Sequence, residues 1–166
     1  KRKTLEKDRT AMKFKNPLLV VRDLEVSIKF YKEVLGLRVV TDFGANVTLT
    51  GGVCLQTAES WQRLTGMPEA EISFGGKDAE LYFEEDNFDG FLQKLNTLQA
   101  IQYVHPAIEQ NWGQRAVRFY DPDRHIIEVG EDMKDVVQRF LNSGMTEEAV
   151  AERMDVPLKF VNSGKR

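Results

Sequence analysis

Cysteine is almost missing from this chain, with Cys54 alone among 166 residues. An intrachain disulfide is therefore impossible, and a zinc site built on paired cysteines is excluded. No apolar run approaches the length of a membrane span, and no secretory signal opens the chain. A cytoplasmic protein without a membrane partner is expected by elimination. The formal charge of −3 gives no general reason to expect nucleic acid. His105 and His125 are the only histidines. His125 falls in the turn after "DPD", where a turn-side hydrogen bond is the default, and His105 opens a long loop. Neither is an obvious catalytic group.

Much of what remains is ordinary. Apolar residues make up 42% and charged residues 30%, which suits one compact globular domain with a real core. The charge is unevenly spread. "KRKTLEKDRTAMKFK", residues 1–15, carries a net +5, leaving −8 for the rest. Two readings of that stretch compete: a basic arm for an anionic partner, and a tail ahead of a natural start at Met12. The second is favoured, because untethered chain collects at termini.

One pattern is written twice. "NPLLVVRDLEVSIKFYKEVLGLRVV" starts with an apolar strand, Leu18 to Val21, followed by Asp23 as a helix N-cap. Leu24, Ile28, Tyr31 and Leu35 lie on one helical face, and Gly36 ends the helix. Strands are expected at 38–42, 47–50 and 53–57. "AELYFEEDNFDGFLQKLNTLQAIQYV" repeats the order, with a strand at 80–84, Asn87 as cap, and Phe88, Phe91, Leu92 and Leu95 as the stripe. Further strands are expected from Ile101, at 115–120 and at 125–129, with "HPAIEQNWGQ" as a long loop. A connector, 58–78, joins the halves. The fold class is α+β: tandem β-α-β-β-β modules, about 16–57 and 79–131, forming a cup-shaped mixed sheet, with a helical extension over 132–166.

The repeat places polar residues in equivalent positions. Asn16 maps onto Glu80 at the offset that carries Asp23 onto Asn87, and Gln56 maps onto Glu128. Glu128 is the anomaly, a carboxylate within "HIIEV", where burial needs a partner, a proton or a metal. Strand alternation puts Ile126 and Glu128 on one face, opposite Ile127 and Val129, and puts Cys54 with Gln56 opposite Val53 and Leu55. If helices cover the apolar face, Glu128 lines a cup.

The repeated order, together with "VVRDLEVSIKFYKEVLGL" and "NWGQRAVRFYDPDRHIIEVGE", resembles the vicinal-oxygen-chelate superfamily of glyoxalase I, bleomycin-resistance proteins and extradiol dioxygenases. The likeness spans about Asn16 to Glu131. In metal-binding members one ligand comes from each of four strands, and the resemblance implies Asn16, Gln56, Glu80 and Glu128 here. Histidine is common in that family at the first and third of these positions, and this chain has none there. Two carboxylates and two amides suit Mg²⁺ or Mn²⁺ better than zinc or ferrous iron. The resemblance also suggests a homodimer.

Each candidate has a plainer alternative. Glu80 and Glu128 form a metal-binding or acid–base pair, or else separate salt bridges with Arg115 or Arg118. Arg118 is a candidate for ligand binding. Cys54 faces the cup with Gln56, yet nothing nearby promises a thiolate, so a small core residue is the favoured reading. Trp61 and Trp112, in connectors beside the presumed cup mouth, either stack on a ligand or staple the connectors down. After Glu131, Val136, Val137, Phe140 and Leu141 mark one helix, Thr146 caps a second, and Pro157 opens a third. The segment is similar to small helix-turn-helix units, but 134–166 holds six basic and five acidic residues. It can supply few phosphate contacts, so packing on the barrel or at a dimer contact is expected instead of nucleic-acid binding.

Three functions follow as expectations. The first is a small-molecule-binding protein of glyoxalase type acting as a metal-dependent lyase, isomerase or dioxygenase. In it a metal or Glu128 stabilises an enolate-like oxygen while a carboxylate moves a proton. The second is a metal-free sequestering protein of resistance type. The third is a ligand-sensing regulator with the helical tail as output.

Overall fold

The computed structural model describes residues 12–164. The stretch 1–11, most of the basic segment read from the sequence, lies outside them. The elements of the first module are β1 (Leu18–Val21), α1 (Leu24–Leu35), β2 (Val39–Asp42), β3 (Asn46–Leu49) and β4 (Cys54–Thr57). Those of the second are β5 (Glu80–Glu85), α3 (Phe88–Thr97), β6 (Gln102–Glu109), β7 (Arg115–Tyr120) and β8 (Ile126–Glu131). Between them runs α2 (Ala58–Thr65), and after them come α4 (Met133–Asn142), α5 (Glu147–Met154) and α6 (Leu158–Gly164).

The local signals act as expected of them. Asp23 accepts from the Val26 N–H, Asn87 from that of Gly90, and Thr146 from that of Ala149, each closing the first turn of its helix. Gly36 takes a left-handed φ of 71° and donates to Lys32, ending α1.

Two elements depart from the sequence reading. The connector begins with a helix, α2, capped by the Thr57 hydroxyl on the Ser60 N–H. The first half of the expected long loop, residues 105–109, is strand, because β6 runs on to Glu109. It does so through register shifts on both sides of His105. Pro106 sits within the second shift, where its missing N–H costs no ladder bond, and β6 is an edge strand. Only residues 110–114 remain as a turn.

Each module makes a four-stranded mixed sheet, ordered β1-β4-β3-β2 and β5-β8-β7-β6. The parallel pairs are β1 with β4 and β5 with β8, and the others are antiparallel. Val53 and Leu55 of the first module and Ile127 and Val129 of the second enter a single core with Val34, Phe88, Phe91 and Leu95. Polar bonds tie the modules. The Tyr31 hydroxyl donates to buried Asp121 at 3.0 Å, Arg22 donates through backbone and guanidinium to Asp123, and Lys94 Nζ reaches the Val34 carbonyl at 3.0 Å.

The last three helices carry their own small core of Val136, Val137, Phe140, Val150, Met154 and Val161. They dock through Arg139, which donates to Glu131 and to the Gly113 carbonyl, and through Arg153, which pairs with Glu109 at 3.2 Å. This is the packing arrangement that the near-neutral charge of the segment favoured.

Candidate functional site

Glu128 occupies the middle of β8, opposite Tyr82 of β5 and Arg118 of β7 in register. Its carboxylate is buried and accepts from Arg118 Nη2. The same guanidinium donates through Nε to Glu80 Oε2 at 2.8 Å and through Nη2 to Glu80 Oε1 at 3.4 Å. Its third nitrogen, Nη1, lies 3.2 Å from His105 Nε2. His105 Nδ1 lies 2.7 Å from the Pro106 carbonyl. A carbonyl only accepts, so Nδ1 carries the proton and Nε2 is free to accept from Arg118. One cation thus serves two carboxylates and an imidazole.

The two carboxyl groups respond in opposite directions. Burial and the neighbouring Glu80 push Glu128 up to about 7, against the pull of Arg118. The hydrogen bond from Arg118 holds Glu80 below the usual carboxylate range. The pair therefore shares its negative charge unequally, with Glu80 the ionised partner and Glu128 poised to hold a proton. Alongside, Gln114 Nε2 donates to Tyr82 Oη at 2.8 Å, and Tyr82 donates to Glu84. Burial and Glu84 raise the Tyr82 phenol to about 12.

The four positions equated by the repeat fall into two groups. Glu80 and Glu128 meet at Arg118. Asn16 instead donates to the Gly52 carbonyl at 2.6 Å. Gln56 is buried between Asn46, whose amide donates to it, and Ser60 of α2, to which it donates. Cys54 is buried with Sγ 3.3 Å from Thr48 Oγ1. Trp112 sits in the 110–114 turn, 39% exposed, and donates to Gln114 at 3.1 Å. Among the described residues no three or more His, Cys, Asp or Glu side chains gather as a metal site. The donor set also fits a divalent ion poorly. A guanidinium already lies between the two carboxylates, and a second cation there meets its charge at contact distance. Both amides are engaged in their own module.

Space for a ligand lies at the seam between the modules. One crevice of about 340 Å³ is bordered by Pro17, Leu19, Glu80, Leu81 and Ile126. Another of about 280 Å³ is bordered by Leu18, Val20, Trp61, Met67 and Phe74. They share Leu19, Ser73 and His125 as lining. The connector forms one wall, and Arg22 stacks 3.8 Å from the Phe74 ring centroid to hold it. Volumes of this order suit small organic molecules. Trp61 and Glu80 border this space as well as being sequence candidates. Met67, Phe74 and His125 were not candidates, and nothing local could have marked the first two, since only the path of the connector brings them here.

Residues 14–134 match the model of a family described as a glyoxalase-like domain. A protein of unknown function from Agrobacterium tumefaciens str. C58 is 37% identical, with 74% of this chain and 95% of that one aligned at a TM-score of 0.67. A glyoxalase/bleomycin resistance protein/dioxygenase from Nocardioides is 21% identical over 74% of this chain and 84% of its own, at 0.60. A glyoxalase-related enzyme from Fulvimarina pelagi is 19% identical over 74% and 90%, at 0.62. The last two likenesses are of fold. No curated protein matches the chain.

Proposed function

The chain belongs to the glyoxalase-like domain family, and on that premise we propose that it binds a small organic molecule in the seam crevice without a resident metal. The observation that carries this reading is the Arg118 guanidinium between Glu80 and Glu128. It supplies the positive charge that a divalent ion supplies elsewhere, from a group that cannot dissociate. Trp61, Met67 and Phe74 give one crevice its apolar walls, and Glu80, held by Arg118, gives the adjoining crevice a polar end.

Metal and ligand titrations test this directly. A site binding Mn²⁺ or Mg²⁺ at about 10 µM gains roughly 2.7 kcal/mol of stability at a hundredfold excess, which a melting curve resolves. The expected result is no shift with either ion. A clear rise in melting temperature would restore the divalent-metal reading. In Trp112→Phe protein treated with EDTA, the remaining Trp61 fluorescence is expected to change when an aromatic probe binds.

A second reading has its own observation. A carboxyl near 7 is suited to taking and returning a proton at neutral pH. If the bound molecule also reaches past Glu80 to the Glu128–Arg118 pair, which itself borders neither crevice, Glu128 is the proton carrier, and Arg118 stabilises the negative charge left on an oxygen. Loss of turnover in Glu128→Gln with binding retained supports that reading. Homodimerisation belongs to the same proposal, since Val40 and Phe43 at the β2 edge are 59% and 76% exposed. Light scattering at rising concentration measures it.

A further inference from the structure

His125 borders both seam crevices, and its surroundings fix how it meets a ligand. Nδ1 lies 2.7 Å from Asp121 Oδ2. That oxygen also accepts the Tyr31 hydroxyl, while Oδ1 accepts the backbone N–H groups of Asp123 and His125 at 2.9 and 2.8 Å. Asp121 is engaged as an acceptor on every side, so the His125 proton stays on Nδ1. In the neutral ring Nε2 is then the acceptor. It has no hydrogen-bond partner among the described residues, and it is not among their buried, unsatisfied atoms. The ring that carries this unpartnered nitrogen borders a space whose other walls include Trp61, Met67, Phe74 and Leu19.

We propose that the Asp121–His125 pair is a binding determinant of the seam crevice, accepting a hydrogen bond through His125 Nε2 from a hydroxylated, uncharged aromatic ligand of the phenol class. The inference rests on the reading of the seam as a ligand site and adds the chemistry of what enters it. Aromatic and thioether walls favour a flat ring. The unpartnered Nε2, set among these apolar walls and apart from the carboxylates of Glu71 and Glu80 that also line the seam, favours a ring that bears a donor, because an analogue lacking the O–H leaves the imidazole dehydrated and unpaired. Asp121 acts through His125 and is a positioning residue. It also closes the turn that carries the ring.

The test compares 4-chlorophenol, protonated at neutral pH, with 4-chloroanisole, which has the same ring with its donor methylated. Calorimetric titration of the full chain is expected to give about tenfold tighter binding of the phenol. In His125→Phe that preference disappears, while the anisole affinity stays within about threefold. Equal affinities in the wild-type protein, or a preference that survives in His125→Phe, overturn the inference and leave the crevice standing. Failure of both probes to bind removes the crevice reading together with it. Should His125→Phe misfold, acylation of wild-type His125 by diethylpyrocarbonate, read by mass spectrometry, answers the same question. The phenol is expected to protect the residue and the anisole to protect it much less, and equal or absent protection counts against the proposal.

Discussion

Glu128 is pulled two ways. Burial and Glu80 favour its protonated form, and Arg118 favours the ionised one, with burial prevailing. Its folded-state value lies above the ordinary 4.5, so between about pH 4.5 and 7 the native protein keeps a proton that the unfolded chain has released. Stability contributed by this group is thus complete at the acid end of that window and declines as pH rises through it. Glu131 works in the opposite sense. Hydrogen bonds from Arg115 and Arg139 hold it low despite burial, so its contribution is present above the ordinary value and is lost on acidification. Glu128→Gln, which keeps an acceptor for Arg118, is expected to abolish the decline between pH 5 and 8, a difference of about 1–2 kcal/mol in denaturant titrations. Arg118→Ala leaves two facing carboxyl groups without their cation. It should cost about 2–3 kcal/mol at pH 8 and less at pH 5, where Glu128 takes up a proton. An equal loss at both values argues that packing of the Arg118 stem, not its charge, is what matters.

Elements differ in how far local sequence specifies them. Caps at Asp23, Asn87 and Thr146 are read correctly because a cap needs only its own side chain and an N–H three residues on. The length of β6 is not legible. Pro106 reads as a strand breaker, and only the sheet edge and the paired register shifts make it tolerable. Docking of α4 depends on one glycine. Gly113 has a φ of 89°, and a Cβ built there lies 2.2 Å from the Phe140 ring. Gly113→Ala is therefore expected to destabilise the protein by about 2–3 kcal/mol through backbone strain and overpacking. Amide exchange should show α4 losing protection well before β7 and β8, and uniform loss across the sheet would assign the contact a different role.

At the scale of the whole molecule, the modules share one core and a set of buried polar ties, which predicts a single cooperative unfolding transition. Tyr31→Phe tests the tie most exposed to failure. It withdraws a hydroxyl donor from buried Asp121 and should cost about 1–3 kcal/mol. Raising the pH short of its titration should not mimic the substitution, because burial and Asp121 push the Tyr31 phenol well above its usual range. Two resolved transitions in the variant would mean that this bond, rather than the apolar core, couples the modules.

The duplicated strand–helix order, the caps of α1, α3 and α5, the alternation that turns Glu128 away from Ile127, and the near-neutral helical tail were all determined by sequence, because each depends on residues a few positions apart. The company those residues keep was not. Glu80 and Glu128 meet only because β5 pairs with β8 and Arg118 of β7 reaches across both. Asn16 and Gln56, equivalent to them in the repeat, find partners inside their own module instead. The seam crevice, with Met67, Phe74 and His125 on its walls, exists only where the connector crosses the junction of two sheets. Periodicity sets the direction in which a side chain points, and long-range packing sets what it meets there.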